Sequence, residues 1–202
     1  MGWSPRHPIA SGICIGLLVA IKPQYLVWPV LLLAAGHRRL AASATLTAVG
    51  LSALPLALGH SEWYEQWIEA SRASAGSLQL ADNLSLLNAV ARLRLPTEVG
   101  VGIIGAGLVG LALFAAVRRP PPKQVSGVAF VAAMLASPVS WIGYGALLVP
   151  VFLARSYWAE PLLIAAILLA VPAPILWWSF GSGFFVYETA LLLCLWSLLR
   201  HG

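Results

Sequence analysis

The chain has 202 residues, 60% of them hydrophobic and only 9% charged, and its mean hydropathy is +0.86. An ordinary soluble domain carries roughly one-quarter charged residues, so this composition excludes one and predicts an integral membrane protein, all-α and polytopic. The net charge of +5 resides in short basic clusters between apolar runs, so it reports topology and contact with membrane lipid and points away from nucleic acid.

Apolar runs fall at 8–21, 25–36, 40–59, 99–117, 124–136, 139–154, 161–178 and 184–199. The first follows Arg6 but ends in "GLLVAIKPQ", on a lysine and not a small-residue cleavage site, so it is not read as a signal peptide. Four runs are long enough to cross a bilayer. The four on either side of Lys22-Pro23-Gln24 and of Ser137-Pro138 are about 12 to 16 residues each, short for a hydrocarbon core of about 30 Å. Each broken pair is either one kinked span or a hairpin that leaves and returns on one side. Hairpins put Arg6, Arg38, Arg39, Arg118, Arg119, Lys123, Arg155 and Arg200 on the cytoplasmic side against Lys22, Arg72, Arg92 and Arg94 outside, as the positive-inside rule requires. Kinked spans reverse that balance. Both breaks are therefore expected at the external face, over a cavity that shelters their irregular backbone.

The long polar stretch 60–98 falls outside in the same topology. Trp63 and Trp67, four residues apart among Glu62, Glu65 and Glu69, suit a helix lying on the membrane surface. A second helix is expected after Asp82 or Asn83, either of which can cap it, with Leu84, Leu87 and Ala91 on one face. "RRPPPK" at 118–123 reads as a stiff basic cytoplasmic turn. Most of the nine tryptophans, Trp28 among them, lie near the ends of apolar runs and read as interfacial anchors. The chain is expected to form one membrane domain, 1–202, with helices over 1–59 broken at 22–24, an external loop over 60–98, and helices over 99–202 broken at 137–138.

A lysine at membrane depth marks a functional site unless it snorkels to the headgroups. The two readings differ in geometry: a snorkelling Lys22 faces lipid, whereas a phosphate-binding Lys22, with Gln24 as hydrogen-bonding neighbour, faces the bundle. No P-loop, HExxH, Gly-x-Ser-x-Gly or metal-spaced Cys/His set is present, so no cofactor and no metal ligands are expected, and a divalent-ion requirement stays open. Cys14 and Cys194 both lie in apolar runs and read as buried thiols.

Taken together, "GLLVAIKPQ", the external "W...W" and "DNLSLLNAVARL", and "ASPVSW" resemble glycosyltransferase family 87, in order and over nearly the whole chain. The resemblance is to the carboxyl-terminal portion of such enzymes, which have the GT-C architecture and use polyprenyl-phosphate sugars. It implies a hexosyltransferase of the cell membrane, mannosyl in specificity, with its site on the external side. It also implies a lipid-linked sugar donor and a cell-envelope glycolipid or glycan acceptor. The matching positions are Lys22, Pro23 and Gln24; Asn83, Ser85 and Arg92; and Ser137, Pro138, Ser140 and Trp141. Lys22, and Arg92 if it turns inward, suit the departing phosphate; Gln24, Asn83, Ser85 and Ser140 suit the sugar, and Trp141 suits stacking. Two departures accompany this. The family's catalytic aspartate lies in a first external loop that precedes the matched region, so the general base is expected to be absent from these 202 residues. After Ser140-Trp141 stand Gly143 and Tyr144, where the family often has histidines. The alternative is a non-catalytic membrane protein that binds a lipid-linked sugar or pairs with a full-length transferase.

Overall fold

A computed structural model describes residues 7–75, 85–137 and 183–200, and the regular structure among them is entirely helical. In chain order it comprises α1 (Pro8–Ile21), a 3-10 turn (Pro23–Leu26), α2 (Val27–Ala34), α3 (Arg38–Ala57), α4 (Glu62–Ala75), α5 (Leu86–Arg92), α6 (Thr97–Arg118), α7 (Pro122–Ala136) and α8 (Gly183–Arg200). The runs expected at 139–154 and 161–178, and the break after Ser137, lie outside the described residues.

Pro23 ends α1. It disfavours helical backbone at the residue before it, and Lys22 accordingly adopts φ −135°, ψ 95°. The Lys22 N–H still closes α1 on Leu18 O at 2.9 Å, and the Lys22 carbonyl accepts the Tyr25 N–H at 3.0 Å, winding the next residues into the 3-10 turn. α2 stops at Gly36, whose φ of 86° lets the His37 N–H reach back to Leu32 O at 2.9 Å.

Packing against α3 fixes the direction of α1. A Cβ on Gly12 would overlap the Ser43 side chain and lie 2.6 Å from Leu40 O, while one on Gly16 would lie 2.5 Å from Ala44 O and 2.6 Å from Thr47 Cβ. The contact register rises along both helices together, so α1 and α3 run parallel. The chain therefore turns back at Lys22–Leu26: α1, the 3-10 turn and α2 form a hairpin, and α3 sets out again from the end where α1 began. Helices in lipid have no hydrophobic drive toward one another, so close approach at small residues supplies the association, and Gly12-x-x-x-Gly16 permits it.

α3 and α6, of 20 and 22 residues, are each long and apolar enough to cross a membrane. Many of their large side chains point outward, with Leu46, Val49, Ile103, Val109, Leu113 and Val117 exposed, as befits helices with one side toward lipid. α6 closes on Arg119 at φ 46°, and three prolines lead directly into α7.

α7 is the centre: every residue from Gln124 to Leu135 is buried. Tyr25 stacks on Phe130 at 5.4 Å, Trp28 meets the same ring edge-on at 6.4 Å, and the Trp28 indole N–H donates to Ser126 Oγ at 2.9 Å. Trp28 is thus a core residue and not the interfacial anchor its position suggested, because α2 presents it to a polar notch in α7. α2 runs antiparallel to α7, since Tyr25 sits nearer the α7 end and Trp28 nearer its start. Gln124 Nε2 donates to Leu198 O at 2.7 Å, setting the end of α8 beside the start of α7.

The two helices of the polar stretch behave differently. α4 makes no extensive packing with another described helix, and Trp63, Trp67 and Ile68 stand exposed on it. α5 is docked into the bundle, with Leu87 and Val90 against Gly100 of α6 and further contacts to α7 and α8. Its cap is Ser85 in place of the expected Asp82 or Asn83: the Asn88 N–H donates to Ser85 Oγ at 3.1 Å, so the helix begins at Leu86.

Candidate functional site

Helix directions divide the bundle into two ends. Arg38 and Arg39 open α3, Arg118 and Arg119 close α6, Lys123 opens α7 and Arg200 closes α8; all gather at one end. α3 and α6 each span about 30 Å, so the α3–α4 turn and the start of α6 lie across the bundle from them. All the carboxylates with described side chains, Glu62, Glu65, Glu69 and Glu98, are at this second end.

Lys22 and Gln24 belong to the second end, where the hairpin turns. Tyr25 against Phe130 sets the level, with Lys22 about 6 Å further along the 3-10 turn and Ser137 about 10 Å further along α7. The two positions therefore agree in height to within about one helical turn. Both Lys22 and Gln24 are half-buried, while Ser137 is 1% exposed. Ser85 is brought to the same end by α5, which packs on the start of α6 at Gly100.

Ser85 and Asn88 are completely buried. The Ser85 hydroxyl accepts the helix-capping hydrogen bond from the Asn88 N–H. Arg92 is the last residue of α5. Asn83, Ser140 and Trp141 lie outside the described residues. Of the positions singled out in the sequence, the structure thus brings Lys22, Gln24, Ser85 and the end of α7 to one end of the bundle.

The sequence reasoning did not find Asn88, Gln124 or Ser126. Polar residues in apolar helices were the available signal, since a buried amide or hydroxyl within a membrane needs a partner and so marks a contact. Gln124 and Ser126 turn out to join α7 to α8 and to α2.

At the rim of this end, His60 Nδ1 pairs with Glu62 Oε1 at 2.9 Å and its ring lies flat on Trp63, with centroids 4.6 Å apart. All three side chains are exposed, which starts α4 as a polar-edged helix with an aromatic face.

A cation and an amide on one turn are groups whose chemistry suits a phosphate or a hydroxyl-rich ligand. The described residues are all-helical, and two of the helices are long and apolar enough to cross a membrane, as in a membrane protein. Residues 1–138 match glycosyltransferase family 87, and the chain belongs to that family. Searches of curated proteins and of solved structures returned no match. The matched region is narrower than the resemblance read from the sequence. Lys22, Gln24, Asn83, Ser85 and Arg92 fall within it, and Ser140 and Trp141 beyond it. Family membership implies glycosyl transfer between a sugar donor and an acceptor.

Proposed function

We propose that this chain is a multi-pass hexosyltransferase of the plasma membrane that takes a mannosyl group from a polyprenyl-phosphate donor and serves cell-envelope glycolipid or glycan synthesis. The observation that carries the reading is the gathering of Lys22, Gln24 and Ser85 at the bundle end opposite the arginine-rich one. The positive-inside rule assigns the arginine-rich end to the cytoplasm, so the Lys22 end faces outward. A lipid-linked donor can slide along the membrane to a turn at this depth without its phosphate leaving the headgroup level.

The roles follow from residue chemistry. As the glycosidic bond to phosphate breaks, negative charge grows on the leaving oxygen, and an ammonium held by a proline-fixed turn stabilises it without reorganising. Gln24 and Asn83 supply amides to the phosphate or the sugar, Ser85 and Ser140 supply hydroxyls, Arg92 offers a second cation and Trp141 a stacking face. No residue of the chain is assigned as general base.

The test is an assay, with polyprenyl-phosphate-mannose and a membrane glycolipid acceptor, of membranes in which this chain is completed by the family's amino-terminal region with its first external loop, beside membranes containing the 202 residues alone, from which no transfer is expected. Transfer by the completed chain and its loss by about 100-fold or more in Lys22→Ala, at equal membrane abundance, supports the reading. Retained turnover in that variant removes Lys22 from the site.

A further inference from the structure

Phe130 of α7 is met twice by the segment that follows Lys22. Tyr25 stacks on its ring, with centroids 5.4 Å apart and planes 17° from parallel, and Trp28 meets the same ring edge-on at 6.4 Å. All three rings are buried. About one helical turn before Phe130, Ser126 Oγ accepts the Trp28 indole N–H at 2.9 Å. The Tyr25 contact sets the height of the segment along α7. Trp28, held at both ring and N–H, stops it rotating about that contact.

Little freedom separates this grip from Lys22. The Tyr25 N–H donates to Lys22 O at 3.0 Å, and Pro23, which lies between them, has a locked φ. Pro23 also confines the Lys22 backbone, whose N–H is bound to Leu18 O at 2.9 Å. The Lys22 backbone therefore follows the Tyr25 ring, and that ring follows Phe130. A second point is fixed from the same place. Ser137 stands about two helical turns beyond Phe130, on the same face of α7, and its N–H closes the helix on Ala133 O at 3.0 Å. One ring thus registers the Lys22 turn against the end of α7, which Ser140 and Trp141 follow in the sequence.

We infer that Phe130, acting through Tyr25, is a positioning residue for glycosyl transfer: the stacked pair holds the Lys22 ammonium where it meets the departing phosphate. This rests on the role proposed above for Lys22. An ammonium stabilises the leaving oxygen only if it already stands there as charge develops, and a displacement of about 1 Å can cost about 100-fold in rate. Leucine in place of Phe130 fills much of the same space but offers Tyr25 no flat face, so it loosens the register without emptying the core.

Register is measured without turnover. In the Cys14→Ala, Cys194→Ala chain in nanodiscs, spin labels at Ile21 and Glu98 report the Lys22 turn against the start of α6, and labels at Arg39 and Lys123 report the other end of the bundle. Phe130→Leu is expected to shift or broaden the first distance and to leave the second unchanged. An unchanged first distance overturns the inference, and so does a change in both pairs that recurs in Tyr25→Leu.

Turnover is measured with polyprenyl-phosphate-mannose in the chain completed by the family's amino-terminal region. Phe130→Leu and Tyr25→Leu are expected to lower kcat by about tenfold or more, and Tyr25→Phe, which keeps the stack, to regain it. In a Lys22→Gln background Phe130→Leu is expected to cost nothing further, because a ring that acts through Lys22 has nothing left to position. Losses that multiply independently overturn the inference and leave Lys22 in the site. Full turnover in Lys22→Gln removes Lys22 from the site, and the positioning role with it.

Discussion

The Trp28 indole N–H donates to Ser126 Oγ at 2.9 Å, and that hydroxyl donates in turn to Pro122 O at 2.7 Å. One side chain thus connects α2 to the start of α7 across 98 residues of sequence. Ser126→Ala leaves a buried indole N–H without its acceptor, at a cost of about 1–3 kcal/mol. The expected result is a lower unfolding midpoint in a denaturing-detergent titration. Trp28→Phe combined with Ser126→Ala recovers part of the hydrogen-bond loss, because neither polar atom then remains, and a double-mutant cycle measures the coupling.

Gly12 and Gly16 separate packing from helix propensity. Gly16→Ala places a methyl 2.5 Å from Ala44 O, where backbone cannot yield cheaply, so α1 must lift off α3. A loss of several kcal/mol, on the order of an overpacked core, is expected, with reduced membrane yield. Gly50→Ala and Gly102→Ala meet nothing within 4 Å and serve as controls. Each is expected to be neutral or to stabilise by up to about 1 kcal/mol in the same titration.

Ser85 has two tasks that variants can part. Ser85→Ala removes the cap of α5 and is expected to destabilise by about 1 kcal/mol, while Ser85→Thr keeps the accepting oxygen and most of the stability. If the hydroxyl also meets the sugar, kcat/KM falls further in Ser85→Ala than unfolding at the assay temperature explains. Parallel stability and turnover measurements on the two variants read this directly.

The proposed orientation makes the two bundle ends chemically distinguishable. In a Cys14→Ala, Cys194→Ala background, single cysteines at Ser61 and Glu98 are expected to react with an impermeant thiol reagent on intact cells. Single cysteines at Arg39 and Lys123 should react only after permeabilisation. The opposite pattern would invert the proposed site to the cytoplasmic face.

Much of this architecture was legible because membrane helices are punctuated by residues that burial penalises. Lys22-Pro23, Gly36 and the prolines at 120–122 each stand at a helix end, and the expected runs match the described helices to within a few residues. The return of the chain at Lys22 followed from charge placement alone, and the parallel contact of α1 with α3 has the same geometry. Trp28 was not legible, since an indole near the end of a short apolar run has the pattern of an interfacial anchor whether it faces headgroups or a serine on a distant helix. The packing partner of α5 was not legible for a related reason: Gly100 looks like any other glycine in a glycine-rich helix. Of the site, the turn residues were visible, but the capping task of Ser85 emerged only with its helix.

α7 is only 15 residues long, bears Gln124 and Ser126, and has nearly every side chain enclosed by protein. Such a segment has little to offer a bilayer by itself, being about 22 Å long with an amide near one end. Its place in the membrane depends on neighbours already assembled there, so biogenesis should proceed in a fixed order, with the α1–α2 hairpin and α3 settled before α7 leaves the insertion machinery. Glycosylation mapping of α7 in isolation and behind α1–α6 checks this: efficient insertion of the isolated segment would mean that the order of synthesis has no such hold on the fold.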